Sequence, residues 1–494
     1  MDFQIERKPS LRWLFIGSLV IGLIGDYLFY GKDFGISYPL FVLCLYGLFF
    51  WQARERIHLR FSQDQAFAWL LTLPTFLLAL TFFLYDNLFF HLLNFMIVPF
   101  LLVAQTMLLS RRYKREWHSF GFFGEIVEMV MYHTLRHTRI PFVLLSRRIR
   151  SRVDGTKYRM AKKVLTGIGI SLPLLLVVLT LLSQADGVFG HFLEEIPRML
   201  FDWDSAEALF RLVLIGSVAL VSFGYLYSSL GPGQHDVAAA PVIREEKKIA
   251  WDGVIVVTIL TIINVVYAAF TVIQISYLFG GAQTALPDGM TYAEYAKKGF
   301  NELVVVTIIN FILLVSSMYL VSREKPLTYR IVQVLLSLLT VCTSFMLYSA
   351  YFRLSLYQEA YGYTYSRLLA HAFMVFLFVL FAIALLRIWR SGFSLPKYYG
   401  IAAIAAYVIV NYLNIDVVIA ENNIQRYHET GEIDTEYLAG LSSDAVPVIM
   451  TLAQDKSVGE SVMQQIREKV EDLEEESDWQ SFNLARSRAQ AYVE

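Results

Sequence analysis

Two apolar runs, 253–279 and 300–321, flank a short polar segment, and each is long enough to cross a bilayer. A spanning helix needs about 20 apolar residues, because hydrocarbon offers no partner for an unsatisfied backbone N–H or C=O. Both runs carry the tetrapeptide Thr-Ile-Ile-Asn, at 261–264 and 307–310. An amide at mid-membrane depth costs free energy unless it is hydrogen-bonded. Asn264 and Asn310 are therefore expected to bond to each other across an antiparallel helix pair. The segment between the runs is aromatic and charged, with Tyr292 and Tyr295, and it places Glu302 just below the interface.

Runs of this kind recur along the chain. Eleven spans are expected, at 11–30, 38–51, 67–85, 88–110, 164–182, 209–229, 253–279, 300–321, 331–351, 368–389 and 401–419. The second is short, and the last contains Asn411, Asn414 and Asp416. Hydrophobic residues make up 56% of the chain and charged residues 17%, against about 45–50% and about 25% in a soluble domain. The fold class is thus all-α, a polytopic helical membrane protein with a small C-terminal helical tail domain. A barrel would read as short alternating segments instead. The first run follows Arg7 and Lys8 and is long for a signal-peptide core, so it reads as a retained anchor.

Charge divides the chain unevenly. The stretch 111–163 holds 14 basic and 4 acidic residues, whereas the tail from Ala420 holds 6 basic and 16 acidic. Basic loops stay in the cytoplasm, which puts the N-terminus inside and the tail outside. The domain division follows: 1–419 in the membrane, with the basic cytoplasmic loop 111–163, and 420–494 as an acidic, extracytoplasmic helical tail. Val462, Ile466, Val470 and Leu473 fall on one face of 459–475, which favours packed helices over a disordered tail. The basic loop is expected to meet anionic lipid, and the tail a protein partner. The charges sit beside helices, so they point to the bilayer and not to nucleic acid.

The stretch TYAEYAKKGFNELVVVTIIN, 291–310, resembles a bacterial multi-pass membrane family known as domain of unknown function 4173. The resemblance extends to GDYLFY at 25–30, to Arg426-Tyr427, and to LAGLSSDAVP at 438–447. It implies a multi-pass protein of the bacterial cell membrane and carries no assigned activity.

Ionisable residues within spans default to a functional hypothesis, because charge is costly there. Asp26, Glu302, Arg353, His371 and Asp416 all fall toward the expected outer ends. With Tyr292 and Tyr295 they are expected to form an outer-leaflet polar pocket in which Glu302 approaches Arg353. Interfacial snorkelling is the plainer account of the same residues. No catalytic set, cofactor motif or metal motif appears. Cys44 and Cys342 lie inside spans, and His133 and His137, spaced i, i+4, have no Glu or Cys completing a ligand set. The expected role is non-enzymatic: envelope sensing, regulation or scaffolding. The alternative is transport or binding of a small solute or lipid through the outer pocket.

Overall fold

A computed structural model describes residues 11–54, 65–144, scattered residues between 160 and 182, 203–230, 252–279, 300–321, 326–390, 392, 394–474 and 478–493. In chain order the helices are α1 (Leu11–Phe29), α2 (Ser37–Ala53), α3 (Ala66–Leu70), α4 (Thr72–Leu84), α5 (Leu88–Leu109), α6 (Phe120–Glu128) and α7 (Leu135–His137). A π-helical turn, Met129–Thr134, joins α6 to α7. Then come α8 (Trp203–Leu230), α9 (Gly253–Phe279), α10 (Phe300–Leu320), α11 (Pro326–Tyr361), α12 (Tyr365–Trp389), α13 (Leu395–Tyr412) and α14 (Ile415–Thr430). The tail adds α15 (Thr435–Ala439), α16 (Val446–Ile449), α17 (Gly459–Glu474) and α18 (Leu484–Gln490).

Among the described residues, eight helical stretches are long and apolar enough to span a membrane, or nine if α13 and α14, bent by 55°, form one broken span. Of the eleven expected, 38–51 falls in α2, a 17-residue apolar helix, and 164–182 lies largely outside the described residues. Burial runs opposite to that of a soluble protein. In α9 Ile262, Val265 and Val266 are exposed while Asn264 is buried, and in α10 Ile309 and Ile312 are exposed while Asn310 is buried. Apolar surface facing outward with amides facing inward suits a lipid surround, where interior polar groups join helices.

The chain forms two compact units. The first comprises residues 1–72, 99–239 and 478–481. Here α1 lies along α8, and a Cβ on Gly22 would come within 2.5 Å of the Ile215 carbonyl, so the bare glycine is what lets the two backbones close. The helical run α6–α7 packs Phe122, Ile126, Met129 and Thr134 inward and exposes Phe123, Val127, Met131 and Leu135. A spacing of four drifts around a 3.6-residue helix. The wider π turn corrects that drift and keeps the exposed stripe on one face.

The second unit comprises residues 73–98, 240–477 and 482–494. Its axis is α11, against which α9, α10 and α12 pack around Leu260, Leu314, Leu339, Met346 and Phe381. This corrects the expected Asn264–Asn310 bond. Both helices pack mainly on α11, and each amide finds that helix. Asn264 Nδ2 donates to the Leu335 carbonyl at 3.0 Å and its Oδ1 has no partner among the described residues, while Asn310 Nδ2 donates to Thr343 Oγ1 at 2.9 Å and its Oδ1 accepts from Tyr267 at 2.7 Å. The tail helices bury Leu438, Val446, Ile449, Leu452, Val462, Ile466 and Val470 in one core with Phe90, Ile415 and Ile419 from the span ends. The side chain of Leu473 lies outside the described residues.

Candidate functional site

Where α13 meets α14, Asn414 adopts φ +45, a left-handed conformation that Asn tolerates better than most residues. The bend puts Asp416 in the first turn of α14, with 3% of its surface exposed. The turn between α4 and α5 supplies Asp86 and Asn87. Asn87 caps α5 by accepting the Phe90 N–H at 3.0 Å, which fixes its side-chain amide beside Asp416. In the tail a 3-10 turn, Ser443–Ala445, supplies Asp444.

These three segments converge through their carboxylates. Asp86 Oδ2 accepts from Ser443 Oγ at 2.6 Å, and the Asp86 N–H donates to Asp444 Oδ2 at 2.7 Å. Ser442 Oγ lies 2.9 Å from Asp416 Oδ2 and 3.2 Å from Asp444 Oδ2, so its single proton is shared between two carboxylates. Asn414 Nδ2 donates to Asp444 Oδ1 at 3.2 Å, and Asn87 Nδ2 contacts both Asp416 Oδ2 and the Tyr365 hydroxyl. Arg486 from α18 closes the group, with its Nε 2.8 Å from Asp86 Oδ1. Asn483 pins α18 in place. Its Oδ1 caps that helix at Ala485 and Arg486, while its Nδ2 donates to the Phe82 and Tyr85 carbonyls at the end of α4.

Three clustered carboxylates repel, and burial removes the water that would screen them. Burial, reinforced by Asp86 and Asp416, pushes the Asp444 carboxyl up to about 6, while the Asp86 N–H and the Ser442 hydroxyl oppose the shift. Burial also lowers Lys469, whose ammonium donates to the Ala439 carbonyl at 3.0 Å and to that of Leu441. Asp444 is therefore the carboxyl of the cluster that burial raises toward neutrality. Beneath it, Thr81, Tyr85, Asn87, His91, Asn411 and Asp416 line a cavity of about 10 Å³, close to the least space that holds one water. A second clamp ties α14 to α11: Asn423 exchanges two hydrogen bonds of 2.8 Å with the Tyr363 backbone, and Arg426 donates to the Glu359 and Ala360 carbonyls.

Asp26, Arg353 and His371, expected together in the outer pocket, each have other partners among the described contacts. Asp26, in the first unit, is paired with Arg211 at 2.7 Å. Arg353 donates to Gln274 Oε1 at 3.2 Å, which also accepts from Ser349. Glu302 is exposed, and among the described contacts it does not pair with Arg353. His371 bonds Ser355 through Nε2 at 3.1 Å and the Arg367 carbonyl through Nδ1. Tyr292 and Tyr295 lie outside the described residues. Among the described residues of that set, Asp416 is the one found in the carboxylate cluster. Its companions Asp86, Asn87, Ser442, Ser443, Asp444 and Arg486 escaped pattern reading. The available signals were the Asp86-Asn87 break between two apolar runs and the Ser-Ser-Asp inside 438–447.

Among the described residues no group of three His, Cys, Asp or Glu is placed to hold a metal ion. The helices and their polar interior define a polytopic helical membrane protein. More narrowly, the chain belongs to the family described as Domain of unknown function (DUF4153), whose model matches residues 72–452. That corrects the family number drawn from the resemblance and keeps its multi-pass, unassigned character. Asp86, Asp416 and Asp444 fall inside the matched region and Arg486 outside it. No curated protein and no solved structure gives a significant match.

Proposed function

We propose that this protein is a sensory or regulatory component of the bacterial cell membrane, non-enzymatic, whose acidic tail is latched to its spans by a proton-responsive carboxylate cluster. The observation that carries this reading is the meeting of Asp86, Asp416 and Asp444 from three separate segments, with Ser442 shared between two of them. Two discrete states follow from one proton. With Asp444 protonated the cluster holds two negative charges opposite Arg486 and nearby Lys469. With it ionised a third, unbalanced charge strains the tail's attachment. A tail that loosens presents an acidic surface to a protein partner.

The remaining assignments follow the charge distribution. Residues 1–419 form the membrane domain with the N-terminus in the cytoplasm, 420–494 lie outside the cell, and the basic stretch 111–163 meets anionic headgroups on the inner side. Hydrogen exchange of residues 435–490 in nanodiscs at pH 5 and pH 7.5 tests the latch. Protection is expected to fall at the higher pH in the native chain and to become pH-independent in Asp444→Asn. Equal protection at both values in the native chain would sink the reading. A reporter fused after Glu494 tests the side: activity inside the cell would overturn the outer tail.

A further inference from the structure

At the end of the first unit where α5 and α8 finish, a pocket of about 510 Å³ opens beneath α6 and the π turn, within the range of small-ligand sites. Its wall carries charge of both signs. Arg112, Lys114 and Arg115 line it from the segment after α5, and Glu125 and Glu128 line it from α6. Arg115 lies against α6 at Gly121. Arg112 Nε donates to the Ser229 carbonyl at 3.2 Å, the Lys114 N–H donates to Glu125 Oε2 at 2.9 Å, and His133 Nε2 stands 3.4 Å from Glu128 Oε1. A purely anionic ligand would be drawn to three cations and repelled by two carboxylates. A ligand carrying a phosphate and a primary ammonium a few bonds apart meets complementary charge at both ends.

The surroundings say where such a ligand comes from. The pocket sits at the ends of two candidate spans, the depth of phospholipid headgroups. The helical run that roofs it exposes Phe123, Val127, Met131 and Leu135 in one stripe, an apolar face that needs hydrocarbon beside it. We infer that this pocket is a binding site for a zwitterionic phospholipid headgroup of the phosphoethanolamine class. The phosphate lies against Arg112, Lys114 and Arg115, and the ammonium donates to Glu125 and Glu128. A choline headgroup lacks the N–H donors, and a glycerol headgroup lacks the cation, so both are disfavoured by the acidic wall.

Native mass spectrometry of the full chain, released from nanodiscs of equal parts phosphatidylethanolamine, phosphatidylcholine and phosphatidylglycerol, reads the selection directly. The native protein should retain the ethanolamine lipid in excess. Glu128→Gln should lower that excess about tenfold, the loss expected for one charge-assisted hydrogen bond, with Glu128→Asp restoring part of it. Arg115→Gln should lower retention of all three lipids. Gly124→Leu provides the control for folding. A Cβ at Gly124 meets nothing within 4 Å, so a side chain added there starts into open space on the pocket wall, and the ethanolamine excess should vanish while the melting temperature stays unchanged. Retention of phosphatidylglycerol equal to or above phosphatidylethanolamine would reduce the pocket to a plain basic patch and overturn the inference. So would an ethanolamine excess that survives Gly124→Leu. Displacement of the bound lipid by free phosphoethanolamine at micromolar concentration would assign the site to a soluble ligand and overturn the lipid assignment.

Discussion

Asp26 and Asp444 are both carboxylates removed from water, and the chain treats them in opposite ways. Asp26, 6% exposed, is bonded directly to a guanidinium: Arg211 Nη2 lies 2.7 Å from Oδ2 and Nε 3.3 Å from Oδ1, while the Tyr30 ring supports the same guanidinium at 4.9 Å. The same guanidinium reaches Glu207 at 3.9 Å. Asp444 shares its surroundings with Asp86 and Asp416, and among the described contacts its oxygens accept from a backbone N–H, a serine and an asparagine, with no cation bonded to it. Hydrogen bonds satisfy its oxygens without cancelling its charge. A buried carboxylate bonded to an arginine is a rivet, and one that shares a hydroxyl with another carboxylate is a titrating joint.

The largest effect expected on that contrast comes from Arg486, the cation bonded within the cluster. Arg486→Ala leaves Asp86 facing two other carboxylates and should destabilise the tail's attachment by about 3 kcal/mol, the scale for breaking a largely buried pair. Proteolysis of the tail and hydrogen exchange at 435–490 would read the loss. The contrast is sharpened by rescue. Asp26→Asn should restore most of what Arg211→Ala removes, whereas Asp86→Asn should restore only part of the Arg486→Ala loss, because Asp416 and Asp444 still repel. Equal rescue in both places would show that the cluster behaves as a simple pair.

Next in size is the pH response. Folded, Asp444 keeps its proton up to about pH 6, against an ordinary value of 3.8. Between those values the docked tail binds more protons than the undocked one, so docking stability is full below about pH 4. It declines as pH rises to about 6 and is flat above. The total change is on the order of 2–3 kcal/mol. Docking measured from pH 4 to pH 7.5 should show this decline in the native chain and lose it in Asp444→Asn. An increase with pH would reverse the assignment.

Ser442→Ala follows, with an effect of about 1 kcal/mol. The hydroxyl is one of the groups that holds the Asp444 carboxyl down, so its removal should move the midpoint of the docking decline upward. A midpoint that stays put would show that Ser442 serves Asp416 alone.

Much of the fold was legible because membrane burial imposes a length. Runs of apolar residues announce α9, α10, α11 and α12 without reference to their neighbours. The tail helix α17 was legible for a related reason: Val462, Ile466 and Val470 mark one face, and that face is buried. The site was legible only at Asp416, which stood out as a charge within an apolar run. Asp86 and Asp444 sit in turns, where an aspartate is ordinary, and their importance arises from a meeting of segments more than 300 residues apart in sequence, as the Asp86–Asp444 separation of 358 records. Asp26 stood out as a charge at the end of an apolar run, but its partner did not, because Arg211 lies 185 residues away at the edge of another span.

The smallest expected effect separates two readings of the repeated Thr-Ile-Ile-Asn. Identical tetrapeptides suggest that the two asparagines seek each other. Yet an asparagine at the same height on two helices can equally be aimed at a third helix, and α11 takes both. Asn310 donates to Thr343 on α11, whereas Asn264 donates to a backbone carbonyl on the same helix. A side-chain cycle should therefore couple Asn310→Leu with Thr343→Val by about 0.6 kcal/mol, the usual size of a hydrogen bond between membrane helices. Asn264→Leu and Asn310→Leu should add within about 0.3 kcal/mol, since they share no atom pair. Unfolding in mixed micelles gives both numbers in one series. Coupling of the two asparagines, with additivity of Asn310 and Thr343, would place the amides against each other and displace α11 from the centre of the second unit. The inner amides, unlike the carboxylate cluster, should show no pH dependence in the same series, because neither an amide nor a threonine titrates between pH 4 and pH 8.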